Sequence, residues 1–207
     1  MIAATNITSA GLSLEKLRAG DRLEFSRMVE AYSSRLYRLA LKMLGNQQDA
    51  EDVLQETFIK AFRHLSGFDG RSSISTWLYR IAANEALMMM RKKHLPTISL
   101  DEPLEGDEGA SEPLQIVDWC CIPEHELINE EARQQLDKAV QNLPPNLRMA
   151  FLLRDIEDLS TQEAADVLGL SENALKTRLS RARLRLREEL TTYYGERLEK
   201  KNYGTSS

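Results

Sequence analysis

Hydrophobic positions recur at helical spacing almost from the start of this chain. A helical pattern opens at Ser13 and runs into an amphipathic stretch where Phe25, Met28, Val29, Tyr32, Leu36, Leu39, Ala40, Met43 and Leu44 share a face. Gly45-Asn46 ends it, glycine being the residue that most easily takes a left-handed C-cap. The next helix, Asp49–Leu65, has an apolar stripe of Val53, Leu54, Phe58, Ala61, Phe62 and Leu65, all expected to be buried. Residues 66–73, rich in glycine and serine, form a loop. A third helix, Ile74–Lys93, turns Ile74, Trp77, Leu78 and Ile81 inward. Periodicity then vanishes from His94 to about Pro123 and returns in a helix ending near Leu143. In LPPNLRMAFLLRDIEDLS, Pro145 suits a first helical turn, and Met149, Ala150, Leu152, Leu153 and Ile156 are expected to face the following helices. Asp155, Glu157 and Asp158 read most simply as a helix end. Every periodic stretch has the helical period, which predicts an all-α fold of two small helical domains joined by an extended linker. The expected boundaries are a frayed arm at 1–12, a first domain at 13–94, a linker at 95–126, a second domain at 127–192 and a polar tail at 193–207.

The stretch 159–190 is the most informative. Ser160 and Glu163 make a capping box, Ala164, Ala165 and Leu168 follow at helical spacing, and Gly169 stands at a C-cap. Ser171 caps a second helix whose apolar positions are Leu175, Leu179, Ala182 and Leu186. Small alanines on the first helix allow a close crossing, which is the helix-turn-helix arrangement. The second helix carries Lys176, Arg178, Arg181, Arg183, Arg185 and Arg187, with Thr177 and Ser180 among them, while its acids sit at its ends. Like charges at i,i+4 disfavour an isolated helix, so a polyanionic partner accounts for this pattern better than a solvated face does. Basic groups for phosphates and short polar groups for base edges are what a major groove takes.

Two surfaces of the first domain also suggest partners. Asp52, Gln55, Glu56 and Ile59 recur at i, i+3, i+4 and i+7 opposite the apolar stripe, which is either a solvated face or a docking face for a basic helix. On the third helix, Arg80, Asn84, Leu87 and Arg91 line one face near Trp77 and Tyr79. Aromatics beside cations suit single-stranded nucleic acid, although the two rings also read as core, the simpler reading for Trp77.

A net charge of −5 looks wrong for a DNA binder until it is divided along the chain. Residues 1–94 hold 14 Lys and Arg against 10 Asp and Glu, residues 95–130 none against 10, and residues 131–207 hold 13 against 12. The acidity is therefore confined to the linker, whose composition is that of an extended connection. Two adjacent cysteines, Cys120 and Cys121, give no disulfide framework and point to a reducing compartment. With His125 they lack the spacing of a zinc site. The N-terminal residues do not read as a signal peptide, and no run approaches the ~20 apolar residues of a membrane span. A cytoplasmic protein without membrane insertion is expected. No cofactor is expected either, and the scattered His64, His94 and His125, with no phosphate-cradling loop, give no enzyme reading.

Three segments in order carry a family resemblance. DAEDVLQETFIKAF resembles the core-binding stretch of sigma region 2, STWLYRIAANEA the promoter-melting stretch, and LPPNLRMAFLLRDIEDLSTQEAADVLGLSENALKTRLSRARLRLREEL sigma region 4. The chain is identified as a member of the extracytoplasmic-function sigma factors of bacterial RNA polymerase. The resemblance implies that Asp52, Gln55, Glu56 and Ile59, with Asp49, dock on the β′ clamp helices, and that region 4 meets the β flap. It implies −10 recognition by Phe68, Arg71 and Ser72 of the loop and by Trp77, Tyr79, Arg80, Asn84 and Arg91. It implies −35 recognition by Lys176, Thr177, Arg178, Ser180, Arg181 and Arg183, a linker that mimics RNA in the exit region, and an anti-sigma factor as a further partner. The run LMMMRKK is more apolar than the ending this resemblance implies for its helix. The alternative from the residues alone is a stand-alone helix-turn-helix regulator.

Overall fold

The computed structural model describes residues 11–93 and 130–203. Among them every regular element is helical: α1 (Leu14–Arg18), α2 (Arg22–Leu44), α3 (Gln47–His64) with a 3₁₀ turn at Leu65–Gly67, α4 (Ile74–Lys93), α5 (Glu130–Asn142), α6 (Pro145–Phe151), which widens into a π turn at Leu152–Ile156, α7 (Thr161–Leu168) and α8 (Glu172–Tyr203). The linker at 95–126, with Cys120, Cys121 and His125, lies outside the described residues. Leu12 is 1% exposed, so the packed chain begins before the expected end of the arm. At the other end α8 continues to Tyr203, through residues expected to form a polar tail.

Local chemistry sets the helix ends. Asp21 accepts from the amides of Leu23 and Glu24 and opens α2; Gly45, at φ 69°, closes it. Asn46 accepts from the Asp49 amide and opens α3. At α7 the Ser160 hydroxyl accepts from the Glu163 amide at 3.2 Å while the Glu163 carboxylate accepts from the Ser160 amide at 2.9 Å, and Gly169, at φ 65°, ends the helix. These caps satisfy backbone groups that a helix end leaves orphaned.

Helices α2, α3 and α4 form the first bundle, and α5 to α8 the second. α2 contributes Met28, Tyr32, Leu36, Leu39 and Met43; α8 contributes Leu175, Leu179, Ala182 and Leu186. The two halves do not stand apart, and their buried residues make one continuous cluster. α4 packs on α2 and α3 and also on α7. That explains why it buries residues around more than one face: Leu78, Tyr79, Ala82, Ala83 and Ala86.

Polar groups bind the seam. Arg148, buried in α6 of the second bundle, donates through Nη1 to the Met43 carbonyl in the last turn of α2 at 2.6 Å. Its Nη2 donates to the carbonyls of Leu143, at 3.0 Å, and Gln141. Burial without a carboxylate partner pulls its pKa below the usual guanidinium range, and the carbonyl dipoles are what offset that cost. Gln141 donates to the Lys42 carbonyl at 2.5 Å, and Lys42 pairs with Asp137 at 3.2 Å.

Candidate polymerase and nucleic-acid interfaces

The outward face of α3 carries Asp52, Gln55 and Ile59 exposed and Glu56 half-buried. Phe62, expected in the core stripe, is 50% exposed. It lies at the stripe's edge, where its ring meets Phe25 edge-on at 5.0 Å and leaves the rest to solvent. Ile59 and Phe62 therefore form an apolar ridge beside carboxylates. Between α3 and α4 runs a groove of about 420 Å³ lined by Asp52, Gln55, Glu56 and Ile59 on one side and by Glu85, Met88 and Lys92 on the other. Lys60 bridges it, 2.6 Å from Glu85 and 3.6 Å from Glu56. The Glu85 hydrogen bond raises the Lys60 pKa. Asp49 is half-buried and bonded to Lys93, which ties the start of α3 to the end of α4.

The second face belongs to α4 and the loop before it. Phe68 is buried, 5.1 Å from Trp77 between ring centroids, with the Arg18 guanidinium 6.0 Å from its ring. Arg71 pairs with Asp69 at 2.7 Å, and Ser72 is half-buried. Tyr79 is the clear departure from expectation. It is 2% exposed, and its hydroxyl donates to Glu157 of the second bundle at 2.6 Å. Burial first, and then that carboxylate, push its pKa up, so the phenol stays a neutral donor. A ring held there has no face to offer a base. Arg80, Asn84 and Arg91 are exposed. Arg80 and Asn84 line a groove of about 460 Å³ whose opposite wall is Ala165–Leu170, the end of α7 and the turn after it.

The third face is the first half of α8. Ser171 caps it, accepting from the Ala174 amide at 3.2 Å. Lys176, Thr177 and Arg181 are exposed, Arg178 and Ser180 half-buried. The Thr177 hydroxyl donates to the Asn173 carbonyl one turn back. Burial pulls the Arg178 pKa down. Arg183 is committed within the fold: its Nε and Nη2 donate to the two oxygens of Asp155, at 3.1 and 2.7 Å. The bonds to Asp155 raise its pKa. Asp155 and Glu157, which read from sequence as a helix end, are thus tethers. The π turn aims one at α8 and the other, just beyond it, at α4, while Asp158 turns the chain at φ 54°. Ile156, expected inside, is 39% exposed because the wide turn rotates it outward.

Comparison with known proteins decides the family. The model for sigma-70 region 2 matches residues 28–95, and that for sigma-70 region 4 matches residues 133–186. The extracytoplasmic-function (ECF) RNA polymerase sigma factor SigW of Bacillus subtilis (strain 168) is 35% identical over 177 residues, spanning 86% of this chain and 94% of that one. This chain belongs to the ECF sigma factors. The RNA polymerase sigma-H factor of Pseudomonas aeruginosa is 33% identical over 176 residues, covering 82% of this chain and 88% of its own. Two solved structures share the fold. The sigma factor RpoE from Bartonella quintana, in complex with the anti-sigma factor NepR, aligns with a TM-score of 0.58 at 26% identity over 81% of this chain and 97% of its own. CnrH in complex with the cytosolic domain of CnrY aligns with a TM-score of 0.62 at 24% identity over 86% of this chain and 95% of its own.

The sigma factor thus directs core polymerase to promoters. A stand-alone regulator would account for the region 4 match and leave residues 28–95 unexplained. No helix among the described residues is long and apolar enough to cross a membrane, and no group of three His, Cys, Asp or Glu among them could hold a metal.

Proposed function

We propose that the α3 face binds the β′ clamp helices through Asp49, Asp52, Gln55, Glu56 and Ile59, with Phe62 added as a second apolar contact. A ridge of two apolar side chains rimmed by carboxylates matches a basic amphipathic helix better than it matches water, and it is the observation that carries this reading. The groove at Arg80 and Asn84 takes the non-template −10 strand, with Arg91 as a phosphate contact and Arg71, Ser72, Phe68 and Trp77 supporting base capture beside it. Lys176, Thr177, Arg178, Ser180 and Arg181 read the −35 duplex, and Arg183 orients the recognition helix through Asp155. Region 2 occupies 13–94, the acidic linker 95–126 and region 4 127–192, with region 4 against the β flap.

On this reading the chain is a non-enzymatic cytoplasmic subunit, held in check by an anti-sigma factor of the kind seen with RpoE from Bartonella quintana. Run-off transcription with bacterial core polymerase tests it. Defined transcripts should appear only when the chain is added and should be lost with the double variant Asp52→Lys/Glu56→Lys. Full transcription by that variant would remove the α3 assignment.

A further inference from the structure

Helix α1 lies ahead of the stretch that matches sigma-70 region 2, which begins at residue 28, and it is firmly anchored. Leu12 and Leu17 are each 1% exposed. The Ser13 hydroxyl accepts from the Lys16 amide, and the Ser13 amide donates to the Glu24 carboxylate at 2.6 Å. Glu24 is itself buried in the first turn of α2, where Arg27 pairs with its other oxygen at 3.3 Å. At the far end Gly20, at φ 76°, turns the chain, and the Asp21 amide donates to the Lys16 carbonyl at 3.0 Å. A five-residue helix held at both ends gives its last residue, Arg18, a fixed point of departure.

That side chain reaches the loop at 66–73. α1 packs on the turn Leu65–Gly67, and the Arg18 guanidinium carbon stands 6.0 Å from the centre of the Phe68 ring. A Cβ at Gly70, where φ is 80°, would lie 3.1 Å from Arg18 Nη2, so the guanidinium also lies close to the loop backbone. Phe68 is 6% exposed, whereas Arg18 is exposed. A strand arriving at this point therefore meets the guanidinium rather than the ring. Resting on a ring does not neutralise a guanidinium, and its N–H donors stay available. Among the described residues Arg18 has no carboxylate partner, while the loop's own cation, Arg71, is paired with Asp69 at 2.7 Å. A planar fork of free donors is matched by the oxygens of a phosphate.

We infer that Arg18 holds a backbone phosphate of the non-template strand beside the nucleotide that the loop captures, so that α1 is part of the −10 site. The inference rests on the −10 reading of that loop. Base capture takes a nucleotide out of the stack by rotating it about its backbone, which brings phosphates to the mouth of the loop, and a fixed cation there offsets their repulsion. The contact carries no sequence information: it positions the strand, and groups that reach base edges specify it. The Trp77 ring, 5.1 Å from Phe68 between centroids, steadies the ring on which Arg18 rests.

The test uses holoenzyme assembled from bacterial core polymerase and this chain, with a forked promoter fragment whose non-template −10 strand is single. Run-off transcription supplies the promoter. Arg18→Ala should weaken fork binding roughly five- to twentyfold, the range of an exposed charge-assisted hydrogen bond. It should also lower the slope of log affinity against log salt by about 0.7, the loss of one phosphate contact on a single strand. Neutral methylphosphonate, placed at one −10 linkage at a time, should weaken the unaltered holoenzyme at a single linkage by a similar factor. At that linkage it should have no further effect on Arg18→Ala. Arg18→Lys keeps the charge and should retain most of the affinity and the sensitivity at that linkage. Unchanged fork binding by Arg18→Ala overturns the inference. So does a loss that leaves every linkage as sensitive as before, because Arg18 would then only support Phe68. Asn84→Ala keeps the two levels apart. Lost −10 discrimination in that variant, beside normal fork binding by Arg18→Ala, overturns the Arg18 contact alone. Unaltered discrimination in Asn84→Ala together with unaltered fork binding in Arg18→Ala overturns the −10 reading as well.

Discussion

Two faces of region 2, one helix apart, are prepared very differently. The α3 face presents Asp52, Gln55, Ile59 and Phe62 outward, and what it lacks is only a partner. The α4 face turns Tyr79 inward to Glu157 and shares the groove at Arg80 and Asn84 with region 4. The two helices have similar length, but α4 is apolar around more of its circumference than α3, so local sequence accounts for part of the difference and the rest is long-range. It comes from which side the second bundle occupies. The lesson is that a binding face is defined by what remains uncovered after all the helices have packed.

The comparison breaks most sharply at Arg148, which belongs to neither face and fixes the seam. Arg148→Met removes four hydrogen bonds to carbonyl and amide oxygens and should lower stability by about 2–4 kcal/mol, measured by urea unfolding. A loss below half a kilocalorie would mean that these oxygens find other donors. Next in size is the open face. Asp52→Lys/Glu56→Lys should weaken binding to core polymerase by about 2–3 kcal/mol in a titration, with unchanged circular dichroism. Equal binding would show that Ile59 and Phe62 dock elsewhere or not at all. On the recognition helix, Arg181→Ala should cost about 1–3 kcal/mol of −35 discrimination if it makes a bidentate base contact, read as the ratio of matched to mismatched promoter. A uniform loss over all sequences would reassign it to phosphate. The smallest effect belongs to Asp155→Asn, which weakens the pair with Arg183. Because that pair is partly exposed, stability should change by less than about 1 kcal/mol, whereas discrimination at one −35 position should relax. A stability loss with unaltered discrimination would make Asp155 structural only.

Much of this fold is legible in the sequence because its helices are punctuated by residues with a single physical purpose. Gly45 and Gly169 take the left-handed C-caps, and Ser160 with Glu163 closes the capping box, all within a few residues of sequence. The family follows from three such segments in order. What the sequence hides is long-range. Tyr79 and Glu157 are 78 residues apart, and the pattern of α4 alone does not reveal that a second bundle will cover the ring. Arg148 carries no motif: an arginine between apolar residues reads as a solvated charge until the carbonyls around it are known. Phe62 misleads for the opposite reason. It sits at the margin of a wide apolar stripe, and only the position of Phe25 decides that half of the ring stays in water.

The π turn at Leu152–Ile156 constrains how this family member can vary in length. A π turn holds one residue more than the α-helical turn it replaces, and each residue of helix carries about 100° of rotation. Deleting one residue there would restore ordinary helical winding and swing everything downstream through that angle. Asp155 could then no longer face Arg183 while Glu157 faced Tyr79. Substitutions on the outside of the turn, such as at the exposed Ile156, leave that winding intact. Deep mutational scanning of this segment should therefore show tolerance to changes of identity and intolerance to changes of number.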